Sequence, residues 1–332
     1  MNLKNTTLAF AIIASVLSCK KSTETATAET KNTEKKEQVT SVKENTLVGD
    51  YVSAEYAKRN EGYDWVAVSV SQVSDSTLHV SVRSRADKKK PTCTFDADAT
   101  KVSENVYSAN KEGKDILFTF KDNSITISTE KQEDSGILNY YCSGGGSLAD
   151  TYKKINEPLD EKQIDPRIFT KTLSLQNITF DVSATGKGST QKLVIQPFGL
   201  KTSNEKITLD IDGKVTNAEI EDLNSDGFPE VLVYTTSAGS GSYGNVIGYS
   251  VNNGKSMSQI AFPNIADNPK ANKGYMGHDE FAIVETTLVQ RFKIYNDGDT
   301  NAKPTGKTRQ IQYKLKDGEA SRKFVVDKIL EY

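Results

Sequence analysis

The sequence predicts an all-β protein: two small antiparallel β-barrel or sandwich domains preceded by a leader and a polar linker. Two observations carry this. Period-two runs of β-branched residues recur along the chain, as at Val66, Val68 and Val70 and at Leu78, Val80 and Val82. Alternation of this kind marks antiparallel strands with one wet face. In addition, the chain shows neither an amphipathic helix of three turns nor a βαβ alternation, which excludes the common α/β classes.

The first element, residues 1–18, reads as a targeting segment. Lys4 supplies a positive start, and Leu8 to Leu17 form a short apolar run. A bilayer span needs about 20 apolar residues, so this run is a signal and not an anchor helix. It ends in Val16-Leu17-Ser18-Cys19, which resembles a bacterial lipobox. That resemblance makes Cys19 the first mature residue and the site of lipidation. The continuation Cys19-Lys20-Lys21-Ser22 is similar to lipoproteins of the Bacteroidetes type and implies an outer-membrane protein, periplasmic or surface-exposed. Residues 19–45 hold Lys, Thr, Glu, Ala, Asn and Ser with almost no large apolar side chain. Such a stretch cannot offset its ordering entropy by burial, so it reads as a disordered tether.

The next element, residues 46–157, is a β domain to which the sequence assigns no function. Ile125 and Ile127 continue the alternation, with Thr126 and Ser128 between them. Of the chain's three cysteines, Cys93 and Cys142 remain once Cys19 is set aside. Both lie in strand-like segments, and an exported compartment permits a disulfide between them, two buried thiols being the alternative. Trp65 reads as core, with stacking on a sugar or partner as the other use of an exposed indole. Lys88-Lys89-Lys90-Pro91 is a charged turn, and Ser143 to Ser147 a glycine-rich bend. Asn156 to Pro166, with two prolines and a run of charges, breaks the strand pattern and predicts a boundary.

Residues 166–332 form the second predicted domain. The apolar run Val231-Leu232-Val233-Tyr234 leads into Ser237-Ala238-Gly239-Ser240-Gly241-Ser242-Tyr243-Gly244. Three glycines after a strand predict a tight exposed loop, because glycine permits positive φ and close approach of another backbone. Hydroxyls on a loop of little bulk suit entry into another protein's cleft. A glycine-rich surface loop without a task is the bland alternative.

Asp222, Asn224, Asp226, Phe228 and Glu230 stand at loop positions one, three, five, seven and nine, with Gly227 at six. Hard-cation loops use this spacing, and calcium is the ion such a loop would take. The twelfth position is Val233 and not the bidentate glutamate of an EF-hand. The competing reading is a turn whose carboxylates cap backbone N–H groups. No other cofactor is required by the sequence.

Enzymatic chemistry finds little support. The chain has two histidines, His79 and His278, in different predicted domains, and no G-x-S-x-G elbow. A net charge of −2 gives no basic field for nucleic acid. His278 with Asp279 and Tyr275 makes one polar cluster; Lys307 and Arg309 in Thr305 to Gln310 make another, able to pair with a partner's carboxylates or to stand as a solvated strand edge.

In order along the second domain come D-L-N-S-D-G-F-P-E, S-A-G-S-G-S-Y-G-N-V-I-G-Y, Y-M-G-H-D-E-F and T-G-K-T-R-Q-I-Q-Y. Together they resemble the periplasmic inhibitors of invertebrate-type lysozyme, the PliI family, over roughly residues 168–332. The resemblance implies an all-β, non-catalytic protein whose partner is lysozyme of the invertebrate type. It implies that Ser240, Gly241, Ser242 and Tyr243 enter the lysozyme cleft, where a pair of carboxylates flanks the glycosidic bond. His278 and Arg309 are the secondary contacts it suggests. The leader, the tether and the extra first domain depart from a minimal inhibitor. They leave open an alternative, a calcium-stabilised envelope lipoprotein that binds a glycan or a surface partner.

Overall fold

The computed structural model describes residues 47–88, 90–186 and 188–332. The leader, Cys19, the whole of the tether, Lys89 of the lysine turn and Lys187 lie outside the described residues. The described residues are all-β, as the alternation predicts, and no helix among them is long and apolar enough to cross a membrane.

The first eight strands close into an antiparallel barrel in sequence order. They are β1 (Gly49–Val52), β2 (Val66–Ser74), β3 (Thr77–Ser84), β4 (Thr94–Ser103), β5 (Val106–Lys111), β6 (Lys114–Lys121), β7 (Ser124–Thr129) and β8 (Thr151–Lys154). Closure comes from β1 against β8, with Tyr51 opposite Lys154. A closed barrel leaves no unpaired strand edge. Leu78, Val80 and Val82 point inward with Phe95, Ile116, Phe118, Ile125, Ile127 and Tyr152 to fill the interior.

One patch of the barrel's outer wall is covered. Ala67 lies between two inward valines and is itself buried, packed with Val52, Tyr56 and Trp65 beneath the turn Ala54–Glu61 and the residues Ile155, Leu159 and Ile164. Trp65 is therefore core, edge-on to Tyr56 at 4.9 Å. Cys93 and Cys142 form the expected disulfide. It joins the residue before β4 to a residue two positions past the helical turn Ile137–Tyr140, so the segment around Cys142 that reads as strand-like is a helical turn followed by an isolated bridge to Cys93. In the glycine-rich bend that follows, Ser143 is fastened by its N–H to the Thr92 carbonyl at 2.7 Å.

The remaining strands form three four-stranded antiparallel sheets, each in sequence order. The first holds β9 (Arg167–Leu175), β10 (Ile178–Thr185), β11 (Thr190–Phe198) and β12 (Ile207–Asp212). The second holds β13 (Lys214–Glu221), β14 (Glu230–Thr236), β15 (Gly244–Asn252) and β16 (Ser256–Ile260). The third holds β17 (Glu280–Val284), β18 (Thr287–Lys293), β19 (Thr308–Lys316) and β20 (Lys323–Glu331).

The second sheet is the middle layer. Val231 and Val233 pack with Phe180, Val182, Leu193 and Ile195 of the first sheet. Leu232 and Tyr234 point the other way, onto Leu288, Phe292, Ile311 and Tyr313 of the third. Successive strand side chains alternate in direction, so a strand covered on both faces must be apolar at every position. This is why β14 departs from the one-wet-face pattern. Each such buried Val or Leu contributes about 1.5–3 kcal/mol. Gly248 on β15 makes room opposite Leu232: a Cβ there would lie 2.9 Å from Leu232 Cδ2.

Candidate functional site: the β14–β15 loop

The buried second sheet carries the candidate loop at one end. β14 and β15 pair as far as Thr236 opposite Gly244, and the chain between them projects beyond the ladder. Ser237 closes the base. Its N–H donates to the Tyr243 carbonyl at 2.8 Å, and its Oγ accepts from the Tyr243 N–H at 2.9 Å. Inside the loop the Ser242 N–H donates to the Gly239 carbonyl at 2.9 Å.

Gly241 and Gly244 act through space and not through φ, and a Cβ at Gly239 would meet nothing within 4 Å. Ser242, with φ of +45°, takes the left-handed conformation, while Gly239, Gly241 and Gly244 do not. Gly241 is needed because the Tyr243 ring folds against it; a Cβ there would sit 2.4 Å from Tyr243 Cε2. Ser240 is exposed, Gly241 and Ser242 are half-buried, and Tyr243 remains 48% exposed while meeting Tyr275 edge-on at 5.7 Å. The structure thus places Ser240, Gly241, Ser242 and Tyr243 at an accessible tip.

The third sheet's connections support this tip. His278 lies beside the loop, exposed, and its backbone N–H donates to the Gly241 and Ser242 carbonyls at 3.0 and 3.1 Å. Next to it, Asp279 anchors the loop's root. Its carboxylate accepts from the Gly244 N–H at 2.7 Å, from the Tyr275 hydroxyl at 2.6 Å and from the Gln290 amide. Burial pushes the Asp279 carboxyl above the usual carboxylate range, and these donors hold the rise in check. Burial and the neighbouring carboxylate together push the Tyr275 phenol upward.

Arg309 is placed differently. It is 3% exposed and its guanidinium is engaged inside the fold. It donates to Glu331 at 2.7 Å and to the carbonyls of Ala271 and Lys273, the former at 2.9 Å. It ties the helical turn Pro269–Asn272 to β20 and keeps the Glu331 carboxyl below its ordinary value. Lys307 and Arg309 therefore do not form a paired solvent-facing cation cluster.

The Asp222–Glu230 segment is a capped turn whose donors face its own backbone. Asp222 accepts from the Asp226 and Gly227 N–H groups at 3.0 and 2.8 Å, and Asp226 accepts from the Phe228 N–H at 2.9 Å. Asn224 Nδ2 donates to Asp226 at 3.1 Å. Glu230 is fully buried and accepts from the Leu223 N–H at 2.8 Å and the Ser250 hydroxyl at 2.6 Å. The cation in the cluster is Arg322, 2.5 Å from Asp226 and 3.7 Å from Glu230. Among the described residues no group of three or more His, Cys, Asp or Glu side chains is arranged to hold a metal ion.

Sequence reasoning missed Asn301, Gln290 and Arg322. Asn301 Nδ2 donates to the Ser240 carbonyl at 2.6 Å across 61 positions of sequence. Its surroundings, Asp299-Thr300-Asn301-Ala302, read as an ordinary polar turn. Asp279 had a signal, its place beside His278 in a quoted motif, without any hint of its role.

No curated protein matches the chain. A family model does, over residues 204–273 in the C-terminal half. The matched segment runs from before β12 to the turn Pro269–Asn272, and so includes the capped turn and the Ser237–Gly244 loop but stops short of Tyr275, His278, Asp279 and Asn301. The family it describes is the periplasmic lysozyme inhibitor of I-type lysozyme.

Proposed function

We propose that this protein is a non-catalytic inhibitor of invertebrate-type lysozyme that presents the Ser240–Tyr243 loop to the enzyme's cleft. The observation that carries the reading is the family match over 204–273, which contains this loop, on a segment whose structure is a closed-base projection. A glycosidase cleft of this kind is flanked by two carboxylates. Ser240 and Tyr243 bring hydroxyl donors to them, and Gly241 keeps the tip thin enough to enter. His278, exposed beside the tip, is the neighbouring contact. In the same reading Cys19 carries the lipid that anchors the chain to the outer membrane, and residues 20–45 hold the folded part away from it. A Cys19→Ser variant then leaves the membrane fraction for the soluble one, and retention in the membrane fraction would sink the anchor.

The test is peptidoglycan lysis by invertebrate-type, chicken-type and goose-type lysozymes with the full chain titrated in. Selective loss of lysis by the invertebrate type at stoichiometric ratio is expected. Ser240→Ala with Tyr243→Ala should weaken inhibition by about thirtyfold or more, the size of an interface hot spot. Full inhibition by that double variant would overturn the role of the loop. Chelation should leave inhibition intact. Loss of all binding on chelation, with no effect on any lysozyme, would favour a calcium-dependent glycan or surface binder.

A further inference from the structure

The three carbonyls at the tip are turned into the protein. Ser240 O accepts from Asn301 Nδ2 at 2.6 Å, and Gly241 O and Ser242 O accept from the His278 N–H at 3.0 and 3.1 Å. Gly277 makes the approach possible, since a Cβ there would fall 1.9 Å from Gly241 O. The loop's carbonyls at 240–242 are thus taken up by the protein, while the Ser240 and Gly241 N–H groups are left without an acceptor among the described residues.

The groups that impose this orientation are themselves fixed. Asn301 Oδ1 lies 3.2 Å from His278 Nε2, and the Asn301 carbonyl accepts from the Tyr295 hydroxyl at 2.8 Å. Asp279, which holds the Gly244 N–H, is bonded to Gln290, whose Oε1 accepts from the buried Tyr313 hydroxyl at 2.6 Å. A continuous chain of hydrogen bonds thus runs from the apolar core of the third sheet to the root of the loop. Ordering a free loop on binding costs about 1–2 kcal/mol per residue of backbone. A loop already held avoids that cost.

We infer that Asn301 and Asp279 are positioning residues, which clasp the Ser240–Tyr243 loop in one shape before a partner arrives. This rests on the inhibitor reading for its consequence but not for its geometry. Neither residue lies in the segment that the family model matches.

Four full-chain proteins decide it: wild type, Asn301→Ala, Asn301→Asp and Asp279→Asn. The aspartate keeps the size and the acceptor but loses the donor to Ser240 O. Amide hydrogen exchange at Ser242, Tyr243 and His278, whose N–H groups are bonded in the clasped loop, should rise about tenfold in both Asn301 variants, the equivalent of one net hydrogen bond. The melting temperature should move little, because the site is at an exposed tip. Inhibition of invertebrate-type lysozyme should weaken about tenfold, chiefly through slower association. Asp279→Asn, which replaces one of the two acceptor oxygens by an amide donor facing a donor, should raise the same exchange at the cost of a lower melting temperature. Wild-type exchange at the loop in both Asn301 variants would overturn the clasp. If wild type inhibits no lysozyme, the functional reading falls, while the exchange data still accept or reject the clasp.

Discussion

The barrel and the three-sheet stack bury apolar side chains by different means, and they treat polar groups differently as a result. The barrel closes β1 onto β8, so one alternation serves every strand: apolar inside, polar outside. Its buried polar side chains are small hydroxyls, Ser84 and Thr94 among them. The stack has an interior layer with no wet face, so whatever polar group enters that layer must find its partner there. Glu230, Ser250 and Gln290 are all buried in it or against it, and each is bonded. The candidate loop emerges from this layer, held by side chains of the next sheet. A closed barrel offers a scaffold without loose ends. A stack of open sheets lets one sheet position a loop that belongs to another.

Removing the disulfide should separate the two regions most sharply. Cys93 and Cys142 are 49 positions apart, and closing a loop of that length stabilises by about 4 kcal/mol in the chain-entropy description. For a domain the size of the barrel this is roughly 15–30 °C of melting temperature. Calorimetry on Cys93→Ser with Cys142→Ser should show the barrel's transition fall by this amount and the stack's stay in place. Lysozyme inhibition measured below both transitions should be unchanged. A single transition that moves as one would mean that barrel and stack unfold together, and the contrast drawn between them would fail.

The same contrast explains what was legible in the sequence. Leu78, Val80 and Val82 gave the barrel's inward face directly, because closure keeps one face wet all the way round. The closure itself was hidden, since it depends on four-residue strands whose partners lie a hundred positions apart. β14 was recognisable as a strand, and its unbroken run Val231–Tyr234 is the mark of burial on both faces. The Ser240–Tyr243 loop stood out as three glycines after such a run, although the same pattern also fits a surface loop without a task. Its clasp was invisible: Asn301 sits in a polar turn like any other, and only the packing of sheets brings it to Ser240. The Asp222–Glu230 spacing suits a cation loop and a capped turn equally. In the structure Asp226 is paired with the guanidinium of Arg322, 96 positions on, which no local spacing could announce.

Glu230 offers a finer test of how the interior layer treats charge. Burial raises its carboxyl from 4.5 to about 7; the Ser250 hydroxyl and the Leu223 N–H oppose that rise without cancelling it. A carboxyl with a raised pKa binds its proton more tightly folded than unfolded. Between pH 4.5 and about 7 the folded state therefore holds more protons, and stability falls as pH rises across that window. The full shift corresponds to about 3 kcal/mol. Glu230→Gln keeps the shape and removes the charge, so its melting temperature should lose most of this decline between pH 4.5 and 7. The barrel's transition, with no carboxylate among its buried interior residues, should show the same pH profile in both proteins. An unaltered slope in the variant would mean that Arg322, 3.7 Å away, holds Glu230 ionised throughout. The interior layer would then accept a paired charge as readily as the barrel accepts a hydroxyl.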